Sequence, residues 1–152
     1  MKKYIIIGLF LGYLLLLIKV IVFKYPSSML FDIADGNWVP FKTIVPYLRG
    51  QPTWIVAMYN IGGNVASFIP LGFFVPVLSH HPLPQLKHVL IFAFLLSLAL
   101  EGLQVFLHAG VFDVDDIILN VLGAIVGYGI FALLTQVFLT NTKCYRSVAF
   151  LK

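Results

Sequence analysis

Four long blocks of apolar residues, separated by polar or proline-rich breaks, dominate the sequence. They fall near residues 4–23, 57–78, 88–107 and 117–139. Each is long enough for a helix of about 20 residues to cross a hydrocarbon layer of roughly 30 Å. The pattern predicts an all-α integral membrane protein: one domain over residues 1–152, built as a four-transmembrane-helix bundle with a long outer loop between helices 1 and 2. The first block follows Met1-Lys2-Lys3 and is interrupted only by Lys19. Its apolar run is long and no small-x-small cleavage site follows, so it reads as a retained anchor.

Within the blocks the polar positions are few and evenly spaced. Glu101, Gln104 and His108 stand at i, i+3 and i+7 in the third, which puts them on one helical face. Asp113, Asp116 and Asn120 repeat that spacing in the fourth, and the stripe continues through Gly123 and Gly127. Asn60, Asn64 and Ser67 follow a similar pattern in the second, at i, i+4 and i+7. Spans two and four enter from the side toward which span three leaves, so all three stripes occupy one half of the bilayer. Polar groups facing lipid are penalised, and the stripes are therefore expected to turn inward, meeting one another or lining a cleft.

The same residues also have a plainer use. Asn, Gln and Ser bind helices together, each bond contributing about 0.6 kcal/mol, and Asp113 is placed to cap the fourth helix. Glu101 demands more, because a carboxylate in a span needs a cationic partner or neutralisation. Lys19 is available as that partner, or snorkels to the surface. Three acids at Asp113, Asp115 and Asp116 repel one another, and a cap accounts for one or two of them. No cofactor is expected here; the alternative is a divalent cation held by these three carboxylates.

The breaks add detail. Pro70 and Pro76, with Gly62, Gly63 and Gly72, predict a locally broken, bent second helix. Gly123 and Gly127 form a G-x-x-x-G step that admits a close helix neighbour, either within the chain or in a homo-oligomer. In the outer loop and the turns after it, Tyr25, Trp38, Tyr47, Trp54 and Tyr59 suit an aromatic belt at headgroup level, with Lys42 and Arg49 available for phosphates. His80 and His81 are adjacent in a proline-bounded inner turn and have no acid or cysteine near them, which argues against a metal there.

Composition agrees with a bilayer setting: mean hydropathy is +0.99, and 61% of residues are hydrophobic against 11% charged. Lys2, Lys3, Lys87, Lys143, Arg146 and Lys152 would share one side. The other holds Lys24, Lys42 and Arg49 but also Asp32, Asp35, Asp113, Asp115 and Asp116. The positive-inside rule then predicts a multi-pass protein of the cell membrane with both termini cytoplasmic. The net charge of +4 reflects this bias and forms no nucleic-acid patch. Cys144 is the single cysteine, which leaves a free thiol and no intramolecular disulfide.

Several segments together resemble VanZ-like membrane proteins, the family named for a teicoplanin-resistance protein. They are Asn-Trp-Val-Pro-Phe-Lys-Thr-Ile at 37–44, Asn-Ile-Gly-Gly-Asn with Phe-Ile-Pro-Leu-Gly-Phe at 60–73, Glu-Gly-Leu-Gln at 101–104, and Phe-Asp-Val-Asp-Asp-Ile-Ile-Leu-Asn at 112–120, followed by Gly123 and Gly127. The resemblance implies a link to lowered susceptibility to teicoplanin and related lipid-bearing glycopeptides. One departure stands out: many VanZ-like sequences carry an arginine just before the aspartates, where this chain has Val111 and Phe112, so Lys42, Arg49 or His108 would have to substitute.

The expected ligand-binding set is Asn60, Asn64, Glu101, Gln104, His108, Asp113, Asp116, Asn120 and Lys42. The expected partners are membrane lipids and a cell-wall precursor lipid or lipoglycopeptide. The leading function is a non-enzymatic outer-leaflet cleft. One alternative is an intramembrane enzyme on a lipid headgroup, with Asp116 or Glu101 as general base, although no hydrolase or phosphate-loop motif is present. The other is a lipid or ion transporter, which the confinement of polar residues to one half of the bilayer disfavours.

Overall fold

The computed structural model describes residues 2–22, 24, 36–79 and 86–149, with backbone alone for residues 2–3 and 138–149. The expectations for Tyr25, Asp32, Asp35, His80, His81 and the side chain of Cys144 lie outside the described residues. Five helices follow in order: α1 (Lys2–Val22), α2 (Ile44–Leu48), α3 (Trp54–Leu78), α4 (Leu86–Phe106) and α5 (Val114–Ala149). All but the five-residue α2 are long and apolar enough to cross a membrane. Exposed Leu9, Leu15, Ile91, Leu95 and Leu133 cover the outside of these four, as a lipid-facing surface requires. With 36 residues, α5 is about 54 Å long and outruns the hydrocarbon layer.

Close backbone approach sets the centre of the bundle. α3 and α5 are its most intimately packed pair. A Cβ built on Gly123 would lie 2.1 Å from the Val65 carbonyl oxygen, one on Gly127 would lie 2.0 Å from that of Ile69, and one on Gly72 would lie 2.0 Å from that of Ala124. The G-x-x-x-G step is thus spent inside the chain, on α3. Phe68, Leu71, Val89, Ala93, Leu100 and Ala124 are buried around this seam, and α1 closes it with Leu17, Ile21 and Val22.

α3 continues as one helix through Pro70 and Pro76, which break its hydrogen-bond ladder locally. Each proline removes one amide donor, but packing against neighbouring helices holds the rest of the ladder. Near Pro70, the Tyr13 hydroxyl donates to the Ser67 carbonyl at 2.7 Å and ties α1 to α3.

Candidate functional site

The polar end of the bundle is assembled where α4 stops and α5 starts. α4 ends at Phe106 in a Schellman turn: the His108 amide donates to Val105 O at 3.1 Å and the Ala109 amide to Gln104 O at 2.9 Å. His108 occupies the left-handed position of that turn, with φ 52°. Because the helix stops before it, His108 leaves the face of Glu101 and Gln104 and is exposed. The expected three-residue stripe on α4 is therefore a two-residue one.

The three aspartates serve different partners apart from Asn37, whose side-chain amide reaches both Asp113 and Asp115. The Asp113 carboxylate accepts the Asp115 amide at 2.8 Å and so caps α5. It also accepts the Asn37 side-chain amide at 2.8 Å. Burial holds the Asp113 carboxyl above the ordinary aspartate value, against the opposite pull of these two bonds and with added repulsion from Asp116 and Asp115.

Asp115 is fully buried and organises the outer loop. Its carboxylate accepts the amides of Phe41, Thr43 (2.7 Å) and Ile44 (3.2 Å) and the Thr43 hydroxyl (2.8 Å). Phe41 has a left-handed backbone, φ 67°, which points its amide at this carboxylate. Asn37, itself buried, completes the joint: its amide donates to Phe112 O at 2.7 Å and its carbonyl accepts Val114 N at 3.0 Å. Trp38 stacks on Phe112, ring centroids 4.2 Å apart. Phe112 therefore forms a seat for the outer loop.

Asp116 faces the opposite way. It pairs with Lys24 at 3.0 Å and accepts the Asn64 side-chain amide. Both ion-pair side chains are 14% exposed, so this pair retains access that Asp115 has lost. Lys24, just past α1, is a residue that the expected site did not include. Its only sequence signal is its place at the end of a span on the same side as the aspartates.

Behind Asp116 the polar groups are sealed. Glu101, 1% exposed, accepts the Asp113 amide at 2.9 Å through Oε2. Gln104 donates to the Ile21 carbonyl at 3.0 Å and caps the end of α1. Asn120 donates to Ser97 Oγ at 2.9 Å across α4 and α5. Glu101 Oε1 and Asn120 Oδ1 have no hydrogen-bond partner in the described structure.

The remaining expected residues stand apart from this cluster. Asn60 bonds back to Val56 O of its own helix at 2.9 Å. Lys42 is exposed on the rim of a shallow surface depression formed with Thr43, Pro46 and Tyr47. Among the described residues no group of three His, Cys, Asp or Glu side chains is arranged to hold a metal ion.

A groove of about 400 Å³ opens between α1 and α3 at this end of the bundle. Lys24 and Asn64, the two partners of Asp116, belong to its wall, together with Lys19, Tyr59 and Ser67. Lys19, weighed above as a partner for Glu101, instead faces this groove and is exposed. The accessible edge of the polar cluster and the groove are therefore continuous.

Four spanning helices with a polar joint confined to one end define a small multi-pass helical membrane protein. The family model described as VanZ/LLP1 matches residues 10–135, and the chain belongs to that family. No curated protein and no solved structure matches it.

Proposed function

We propose that this protein lowers susceptibility to teicoplanin and related lipid-bearing glycopeptides by binding a lipid-linked or amphiphilic ligand in the groove between α1 and α3. The orientation proposed with it places both termini in the cytoplasm and the groove in the outer leaflet, following the lysine and arginine bias of the flanks. The observation that carries the reading is the Lys24–Asp116–Asn64 arrangement, a partly exposed ion pair at the edge of a lipid-level groove.

In this reading the groove engages the apolar part of an amphiphile and the polar joint meets its headgroup. Asp115, Asn37 and Asp113 hold the outer loop above the site without touching the ligand. Binding there changes how a glycopeptide reaches its lipid-anchored target at the outer surface.

The test is teicoplanin susceptibility of one host expressing wild type, Glu101→Gln, Asp116→Asn or empty vector, with membrane levels matched by blot. Protection by wild type that Asp116→Asn loses at equal level supports the reading. An unprotected wild-type strain, or full protection by both variants, overturns it.

A further inference from the structure

The wall of the α1/α3 groove presents two ammonium groups, Lys19 and Lys24, and no carboxylate. Every acid of the polar joint lies outside that lining: Asp116 stands behind Lys24, Glu101 is sealed behind Asp113, and Asp115 is wrapped by the outer loop. Lys19 has no ion-pair partner among the described residues. It sits about one turn before the end of α1 at Val22, the level at which headgroup gives way to chain. Leu16, Val20 and Ile21 supply apolar side chains to the same lining. A Cβ added to Gly63 would meet nothing within 4 Å, so the missing side chain is part of the open space.

From this distribution we infer that the groove holds a phospholipid of net negative headgroup, its phosphate against Lys19 and Lys24 and one acyl chain against Leu16, Val20 and Gly63. This rests on the reading of the groove as an amphiphile site and names the headgroup it selects. Asp116 balances Lys24, so Lys19 carries the net charge of the lining, and a cation beside an apolar wall matches an anion that carries a hydrocarbon tail. A zwitterionic lipid brings its own cation, which the lysines repel. The size of the groove lies within the usual range for small-molecule sites.

The test is native mass spectrometry of the full chain in neutral detergent, titrated with phosphatidylglycerol or with phosphatidylcholine of identical chains. The inference predicts a preference for phosphatidylglycerol of about fivefold, the effect of one lysine beside an anionic headgroup. Lys19→Gln, an exposed change, removes that preference while leaving the thermal midpoint unchanged. Gly63→Leu weakens binding of both lipids by filling the chain path, and inorganic phosphate at equal concentration displaces neither.

Equal affinity for the two lipids, or an unchanged preference in Lys19→Gln, overturns the headgroup assignment. If Gly63→Leu still abolishes both, the groove stands as an amphiphile site of another selectivity. Displacement of phosphatidylglycerol by inorganic phosphate overturns the lipid in favour of a bare anion. Failure of wild type to retain either lipid overturns this inference and the amphiphile reading together.

Discussion

α5 meets the rest of the molecule in two ways. Along its middle, Gly123 and Gly127 press backbone against the carbonyls of α3, with no polar side chain involved. At its start, Asp113, Asp115 and Asp116 reach in three directions and gather the outer loop, α4 and the end of α1. The first contact depends on shape and tolerates almost no added volume. The second depends on donors finding acceptors, and there the Lys24–Asp116 pair stands beside the α1/α3 groove. In a bilayer, where apolar contact between helices gains little over contact with lipid, close packing supplies the frame. Charge is then available for tasks other than holding helices together.

Substitutions separate the two regions. The largest expected effect is at Asp115. Asp115→Ala leaves three backbone amides and a hydroxyl without their acceptor, at a cost of about 3 kcal/mol. Thermal unfolding in detergent reads the loss, and proteolysis within 36–53 reads release of the loop.

Next comes Gly127→Ala, whose methyl would meet the Ile69 carbonyl at 2.0 Å. The helices must separate, at about 1–3 kcal/mol. Gly62→Ala adds the same methyl to α3 where nothing lies within 4 Å, and its unfolding midpoint is expected to match or slightly exceed wild type. If the two alanines behave alike, the dry seam is not what fixes α3 on α5.

The Lys24–Asp116 pair is smaller in effect because both side chains are partly exposed. A double-mutant cycle with Lys24→Met and Asp116→Asn is expected to give a coupling of about 1 kcal/mol. A coupling indistinguishable from zero would mean that the pair is not held as described.

The smallest effect is at His108, whose left-handed backbone suits glycine. His108→Gly is expected to be neutral or to stabilise by about 0.5 kcal/mol, read in the same unfolding assay, and to leave any ligand phenotype intact.

How much of this was legible differs by region for a physical reason. Unbroken apolar runs define the spans, and each observed helix start falls within a few residues of the expected one. The i, i+3, i+7 spacing on α5 and the nearby acids correctly anticipate that Asn64, Glu101, Asp113 and Asp116 gather at one end. His108 falls away because the helix stops two residues before it, and spacing cannot announce a Schellman turn that uses histidine in place of glycine. Asn60 shares a stripe with Asn64, yet its amide is satisfied by its own helix.

The role of Asp115 depends on three backbone amides over seventy residues away in sequence, and no local pattern encodes that. Asn37 and Lys24 escaped for the same reason. Both act from segments that hydropathy alone assigns to a loop, and their partners are set by how α1, α3 and α5 come together.

The division between a latch and an accessible site can be tested in a single comparison of Asp115→Asn and Asp116→Asn. Each is expressed in the same host, and membrane level and teicoplanin susceptibility are measured together. The account predicts that Asp115→Asn loses protein from the membrane, whereas Asp116→Asn keeps the wild-type level and loses protection. Full protection by Asp116→Asn at normal level, beside an intact and equally protective Asp115→Asn, would contradict it.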